Sequence, residues 1–87
     1  MALFGQDIDQ VRQLATQLNA KAGDIEGVIA QLTSAVNSVQ WMGPDAERFK
    51  ADWQGQHVPQ LRQVVTALQN ASQNANRNAT EQQQASV

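Results

Sequence analysis

The chain has 87 residues, 41% of them hydrophobic but only 5% aromatic, with no cysteine and a formal net charge of −2. That length allows a single domain with a thin stability margin, and the missing cysteines exclude disulfide or thiolate-metal staples, so ideal helix packing or, preferably, oligomerisation must compensate. The six basic residues are scattered, which argues against nucleic acid as a partner, because binding phosphates requires a clustered basic face.

The opening residues Met1-Ala2-Leu3-Phe4-Gly5 show neither the basic start nor the apolar run of a secretory signal, and no later stretch is a membrane span. Export, if it occurs, is expected to proceed without a cleaved signal. From there the periodicity predicts a helix over about 7–39. Val11, Leu18, Ile25, Leu32 and Val39 fall on every seventh position, with Leu14, Val28 and Ala35 three residues after their neighbours. Ala15, Ala22, Ile29 and Val36 widen this seam on one side, as suits a helix in a bundle. Lys21 interrupts the apolar pattern and can lay its stem on the core with the ammonium outward. Asp7 and Asp9 suit a helix N-terminus. Because Leu32 sits in the seam, Leu32→Asp is expected to collapse the fold.

A turn over about 40–43 is signalled by Gln40-Trp41-Met42-Gly43, followed by Pro44, Asp45 and Glu47. Glycine accepts backbone angles that strain other residues, proline is pre-set for a first helical position, and the acids complement the new helix dipole. The second helix is predicted over about 44–79. Its apolar residues are Ala46, Phe49, Trp53, Leu61, Val64, Val65, Leu68, Ala71, Ala75 and, at the limit of the stripe, Ala79, with the phase drifting through His57 and Val58. The step of four from Phe49 to Trp53, His57 and Leu61 exceeds the helical period, and Gly55 and Pro59 lie in that stretch, so a kink near Gly55 is expected. It is either a functional bend or a tolerated proline. Residues 80–87, almost wholly polar, are expected to form a flexible tail.

The predicted fold is therefore all-α: an antiparallel helix-turn-helix hairpin that dimerises into a four-helix bundle, because each helix covers only part of the other's broad stripe. Core and interface are assigned to Val11, Leu18, Ile25, Leu32, Val39, Phe49, Trp53, Leu61, Val64 and Leu68. The small residues Ala20, Gly23, Gly27 and Ala30 lie on the far side of the first helix. Two interior glycines cost about 1 kcal/mol each relative to alanine; either another backbone approaches there or they are tolerated on a wet face.

Nothing in the sequence assembles a catalytic site. His57 is the single histidine and reads as partly buried and structural. Asp24 and Glu26 are two residues apart and point to different helix faces. No phosphate-binding glycine loop exists, and no metal, cofactor or enzymatic activity is expected.

The tip residues Trp41-Met42-Gly43, followed by Ala46, Phe49 and Trp53, give the chain a marked likeness. In chain length, central Trp-Xaa-Gly and flanking cysteine-free amphipathic helices, it resembles the Trp-Xaa-Gly (WXG) family. These are the small early-secreted-antigen-like proteins exported by type VII (ESX) secretion systems of Gram-positive bacteria and mycobacteria. The resemblance covers nearly the whole chain. It implies a hairpin that pairs with itself or a sister WXG protein, engages the type VII machinery and is exported folded, with Trp41 and Gly43 as the family's tryptophan and glycine. Trp41 either plugs the hairpin mouth or stays exposed for the machinery. Many members or their partners also carry a Tyr-x-x-x-Asp/Glu signal after the second helix, and this chain has no tyrosine; a sister chain supplies that signal, or recognition differs. The alternatives are a helical adaptor that stays in the cytoplasm and a membrane-active amphipathic protein. The latter is ranked last because the polar face is rich in glutamine and poor in basic residues.

Overall fold

Asp7 opens the first helix by a local mechanism. Its carboxylate accepts a hydrogen bond from the Gln10 backbone N–H at 3.1 Å, satisfying one of the donors that a helix N-terminus leaves unpaired. In the computed structural model, which describes residues 7–85, this helix, α1, runs Ile8–Ser38. At 31 residues it is about 46 Å long. It ends where Val39 turns to extended backbone while its N–H still donates to the Ala35 carbonyl.

The connection is short: the Trp41 N–H donates back to the Val39 carbonyl at 3.0 Å, and Gly43 follows with a φ of 112°, the sole positive value among the described residues. Glycine enters this region without steric penalty, whereas a side chain there is strained. Pro44 then occupies the first turn of α2, Pro44–Asp52, with Asp45 and Glu47 beside its positive end. The helical start at Pro44 is the one the sequence predicts.

Near Gly55, where the sequence marks an irregularity, the chain makes one wide π-helical turn over Trp53–His57 before α3, Val58–Ala85. The Val58 N–H reaches back five residues to the Trp53 carbonyl. Pro59 follows at once, and the widened turn accommodates a ring that would clash with the carbonyl of a regular α-turn. The one-residue insertion resets the inward spacing: Ala46 and Val58 are buried and Trp53 half-buried at steps of seven and five, whereas Phe49 and His57, on the predicted steps of four, are exposed.

Helix continues to Ala85, six residues beyond the expected end at 79, so residues 80–85 correct the reading of a flexible tail. Two contacts explain it. Ala79 is fully buried, and the Arg12 guanidinium crosses from α1 to donate to Thr80 Oγ1 at 3.3 Å and Gln83 Oε1 at 3.1 Å. Residues 86–87 of the predicted tail, and the first six residues read as lacking a leader, lie outside the described residues.

The described chain is thus all-helical, a hairpin in which α1 packs along α3. It is a rod of 65 × 16 × 15 Å with a radius of gyration of 19.5 Å, against about 12 Å for a globular chain of this length. Its core is one seam deep. Ala15, Ala22 and Ile29 from α1 meet Val58, Val65, Ser72 and Ala79 from α3, both sets in steps of seven and running in opposite directions. Alanines at Ala15, Ala22 and Ala79 let the helix axes approach closely. Ser72 is the polar member, and its hydroxyl donates to the Ala15 carbonyl at 2.6 Å.

Candidate interaction surface

Each helix carries two adjacent heptad lines, and the hairpin closes on the one that the sequence reading placed at the flank. Ala15, Ala22 and Ile29 are buried between the helices. Val11, Leu18 and Ile25 are half-buried, as are Leu61 and Leu68 on α3. Leu32, on the same line of α1, is exposed, and so are Val39, just past the end of that helix, and Val64 on α3. Leu14 and Val28, one line further round, are exposed as well.

These residues share one long side of the rod. Leu14, Leu18 and Lys21 line an open groove with Leu68 from the opposite helix, and Val28, Leu32, Leu61 and Val64 continue the same face by heptad spacing. The opposite long side is polar: Glu26, Thr33 and Arg62 border a shallow depression there, and Arg12 makes its bonds to Thr80 and Gln83 on that side. The rod therefore has one apolar and one wet face. Its accessible surface is 6577 Å², against about 5,000 Å² for a compact monomer of its mass.

The hairpin tip forms a second cluster. Trp41 and Phe49 are both exposed and lie with ring centroids 5.4 Å apart at a tilted 54°, within the favoured range for aromatic pairs. Met42 beside them is 92% exposed. Trp41 is accordingly an exposed residue packed on Phe49 and does not plug the hairpin mouth. Further along, Trp53 is half-buried and its indole N–H donates to Thr33 Oγ1 at 2.9 Å, tying the start of the wide turn to α1.

One other reading changes, and one keeps both of its alternatives. His57 is exposed, with its ring 6.2 Å from that of Trp53, so it is not a partly buried structural histidine. Gly23 and Gly27 face open space within the hairpin, where an added Cβ would meet nothing within 4 Å, so no backbone of this chain approaches them. Lys21 points its ammonium outward to Asp24 at 3.6 Å.

Sequence reasoning passed over three residues. Ser72 was detectable as the one polar residue seven steps from both Val65 and Ala79. Thr33 and Arg12 carried no local signal, since each acts on a partner far along the chain. Among the described residues, no three of His, Asp or Glu gather as a metal site, and no helix is long and apolar enough to cross a membrane. Comparison with protein-family models, curated proteins and solved structures gave no match.

Proposed function

We propose that this chain is a protein-binding helical hairpin of the WXG type, exported by a type VII (ESX) secretion system. In this reading it acts by pairing with itself or a sister hairpin into a four-helix bundle, as substrate, effector or co-secreted partner. The observation that supports the reading is the continuous apolar side of the rod, Leu14, Leu18, Val28, Leu32, Val64 and Leu68, left open by a hairpin whose other side is polar. A hydrophobic face of this length is a liability in water unless another apolar surface covers it. A second amphipathic hairpin of similar length would cover it and complete a bundle. The exposed Trp41–Phe49 pair at the tip is then free to meet the export machinery after the long face is covered.

The test is export from cells carrying or lacking the type VII secretion ATPase. The wild-type chain should reach the medium only with the ATPase. Trp41→Ala, which removes the exposed ring, and Gly43→Val, which strains a φ of 112°, should reduce export more than Gln17→Ala. A distribution unaffected by the ATPase would refute the secretion reading and favour a helical adaptor that stays in the cytoplasm.

A further inference from the structure

We propose that Thr80 is a phosphorylation site, and that the phosphate it takes from a protein kinase is held by Arg12 of α1 and Arg77 of α3, locking the far end of the hairpin. The proposal goes beyond the pairing and export reading and depends on neither. Three observations carry it.

The first is what meets the hydroxyl. Among the described residues Thr80 alone has a guanidinium on its side-chain oxygen: Arg12 crosses from the other helix and donates to Thr80 Oγ1 at 3.3 Å and to Gln83 Oε1 at 3.1 Å. The other bonded hydroxyls meet neutral groups. Thr16, Ser38 and Ser72 donate to backbone carbonyls, and Thr33 accepts from an indole.

The second is unbalanced charge. Lys21–Asp24 is the one ion pair among the described residues, so Arg12 has neutral oxygens opposite it and Arg77 has no carboxylate partner among them. Arg77 lies three residues before Thr80, the spacing that sets two side chains on one helix face. A phosphothreonine brings nearly two negative charges and three acceptor oxygens to a place where two arginines already stand. Two terms oppose it. Glu81 is the next residue along but points to a different side, and the C-terminal end of α3 is equivalent to about half a negative charge. Two full positive charges, one of them already in contact, outweigh these.

The third is access. Thr80 is exposed, and no residue from 81 to 85 is buried. A helix end with so few packed contacts opens more readily than the core, which is what presentation as an extended strand to a kinase requires. In Arg77-Asn78-Ala79-Thr80 the arginine stands three residues before the acceptor, where arginine-directed kinases read a positive charge. In the transfer, Thr80 Oγ1 attacks the γ-phosphorus of a nucleoside triphosphate bound to the kinase. The new O–P bond forms as the bond to the departing nucleoside diphosphate breaks, and the hydroxyl proton passes to the carboxylate base of the kinase. The segment then rewinds, and Arg12 meets a phosphate where it met a hydroxyl.

The experiment has two arms on the full chain. In the first, wild type and Arg77→Ala are incubated with ATP and an arginine-directed serine/threonine kinase, and the modified residue is located by tandem mass spectrometry. Thr80 should take the phosphate, and Arg77→Ala should slow the transfer about tenfold, the loss of one charged contact with the enzyme. In the second, phosphothreonine is installed at position 80 during translation, so that the lock is read apart from the kinase. Amide hydrogen exchange over residues 80–85 should slow about fivefold relative to the unmodified chain, the size of an exposed charge pair. Arg12→Ala should abolish that gain, each background being compared with its own unmodified form, and circular dichroism checks that the helices persist. Phosphate on other hydroxyls in place of Thr80, or a rate indifferent to Arg77→Ala, overturns the site. Exchange that is unchanged or faster with the phosphate, or a slowing that survives Arg12→Ala, overturns the lock. Neither arm reads export or self-association, so failure here and failure of the secretion reading are separable.

Discussion

Ile29 and Leu32 lie one helical turn apart, and replacing each with aspartate separates the core from the docking face. Ile29 is 5% exposed and belongs to the cluster with Ala22, Val58 and Val65. Ile29→Asp forfeits about 2–3 kcal/mol of apolar burial and strands a carboxylate at a further several kcal/mol. The whole stability of a chain this long is only about 4–13 kcal/mol, so the variant should lose its helices. Leu32 is 45% exposed. Leu32→Asp removes roughly half of a leucine's burial from the hairpin, about 1 kcal/mol, and leaves the carboxylate in water. In the pair the other half is lost from both copies, about 2 kcal/mol or some 30-fold in Kd, before the desolvation of two acids is added. Circular dichroism melts and sedimentation at matched concentrations provide the assay. Leu32→Asp should stay helical, run as a monomer and melt at a temperature independent of concentration, while Ile29→Asp should give no cooperative melt. Equal loss of helix in both variants would show that Leu32 belongs to the hairpin core, as the sequence alone suggests, and would sink the separation of core from face.

Ser72→Ala deletes the bond to the Ala15 carbonyl, worth about 1 kcal/mol, and regains about 0.5 kcal/mol of helix propensity. Its melting temperature should fall about 2–4 °C, and a rise would mean the hydroxyl does not hold the register. Arg12→Ala removes the bonds to Thr80 and Gln83. Amide hydrogen exchange should speed up across residues 80–85 and stay unchanged around Val58 and Val65; unchanged protection of 80–85 would mean that the Arg12 bonds do not hold the end of α3.

Both ends of α1 and the start at Pro44 were readable because their causes are local: an aspartate cap, a glycine at a tight turn and a proline behind it. The apolar faces were readable too, since period does not depend on partners. Which of two neighbouring apolar lines closes the hairpin was not, because Ala15-Ala22-Ile29 and Leu18-Ile25-Leu32 fit a helical stripe equally well. The choice falls to the alanine line on steric grounds, as small side chains permit the nearest approach of the axes. The end of α3 was hidden for a similar reason. Composition predicts fraying after residue 79, and the contact that holds Thr80 and Gln83 comes from Arg12 at the opposite end of the sequence. At the tip, Trp41 and Gly43 could be singled out by type and placement, whereas the exposure of Trp41 against Phe49 follows from how Val39 to Gly43 runs in space. At Gly55 and Pro59 the sequence marked an irregularity, and the form it takes, one residue added to a helical turn, depends on which carbonyl the Val58 N–H finds.

The uneven wetting of the two long sides also limits growth. Once a single greasy strip is covered, the remaining flanks of the described rod show glutamine, asparagine, threonine and scattered charge to water, and no second adhesive patch of comparable length is left among the described residues. Under the proposed pairing, a rod with one such strip is monovalent along its length: a closed pair would use the strip up, and further growth along the flanks would have no comparable surface to build on.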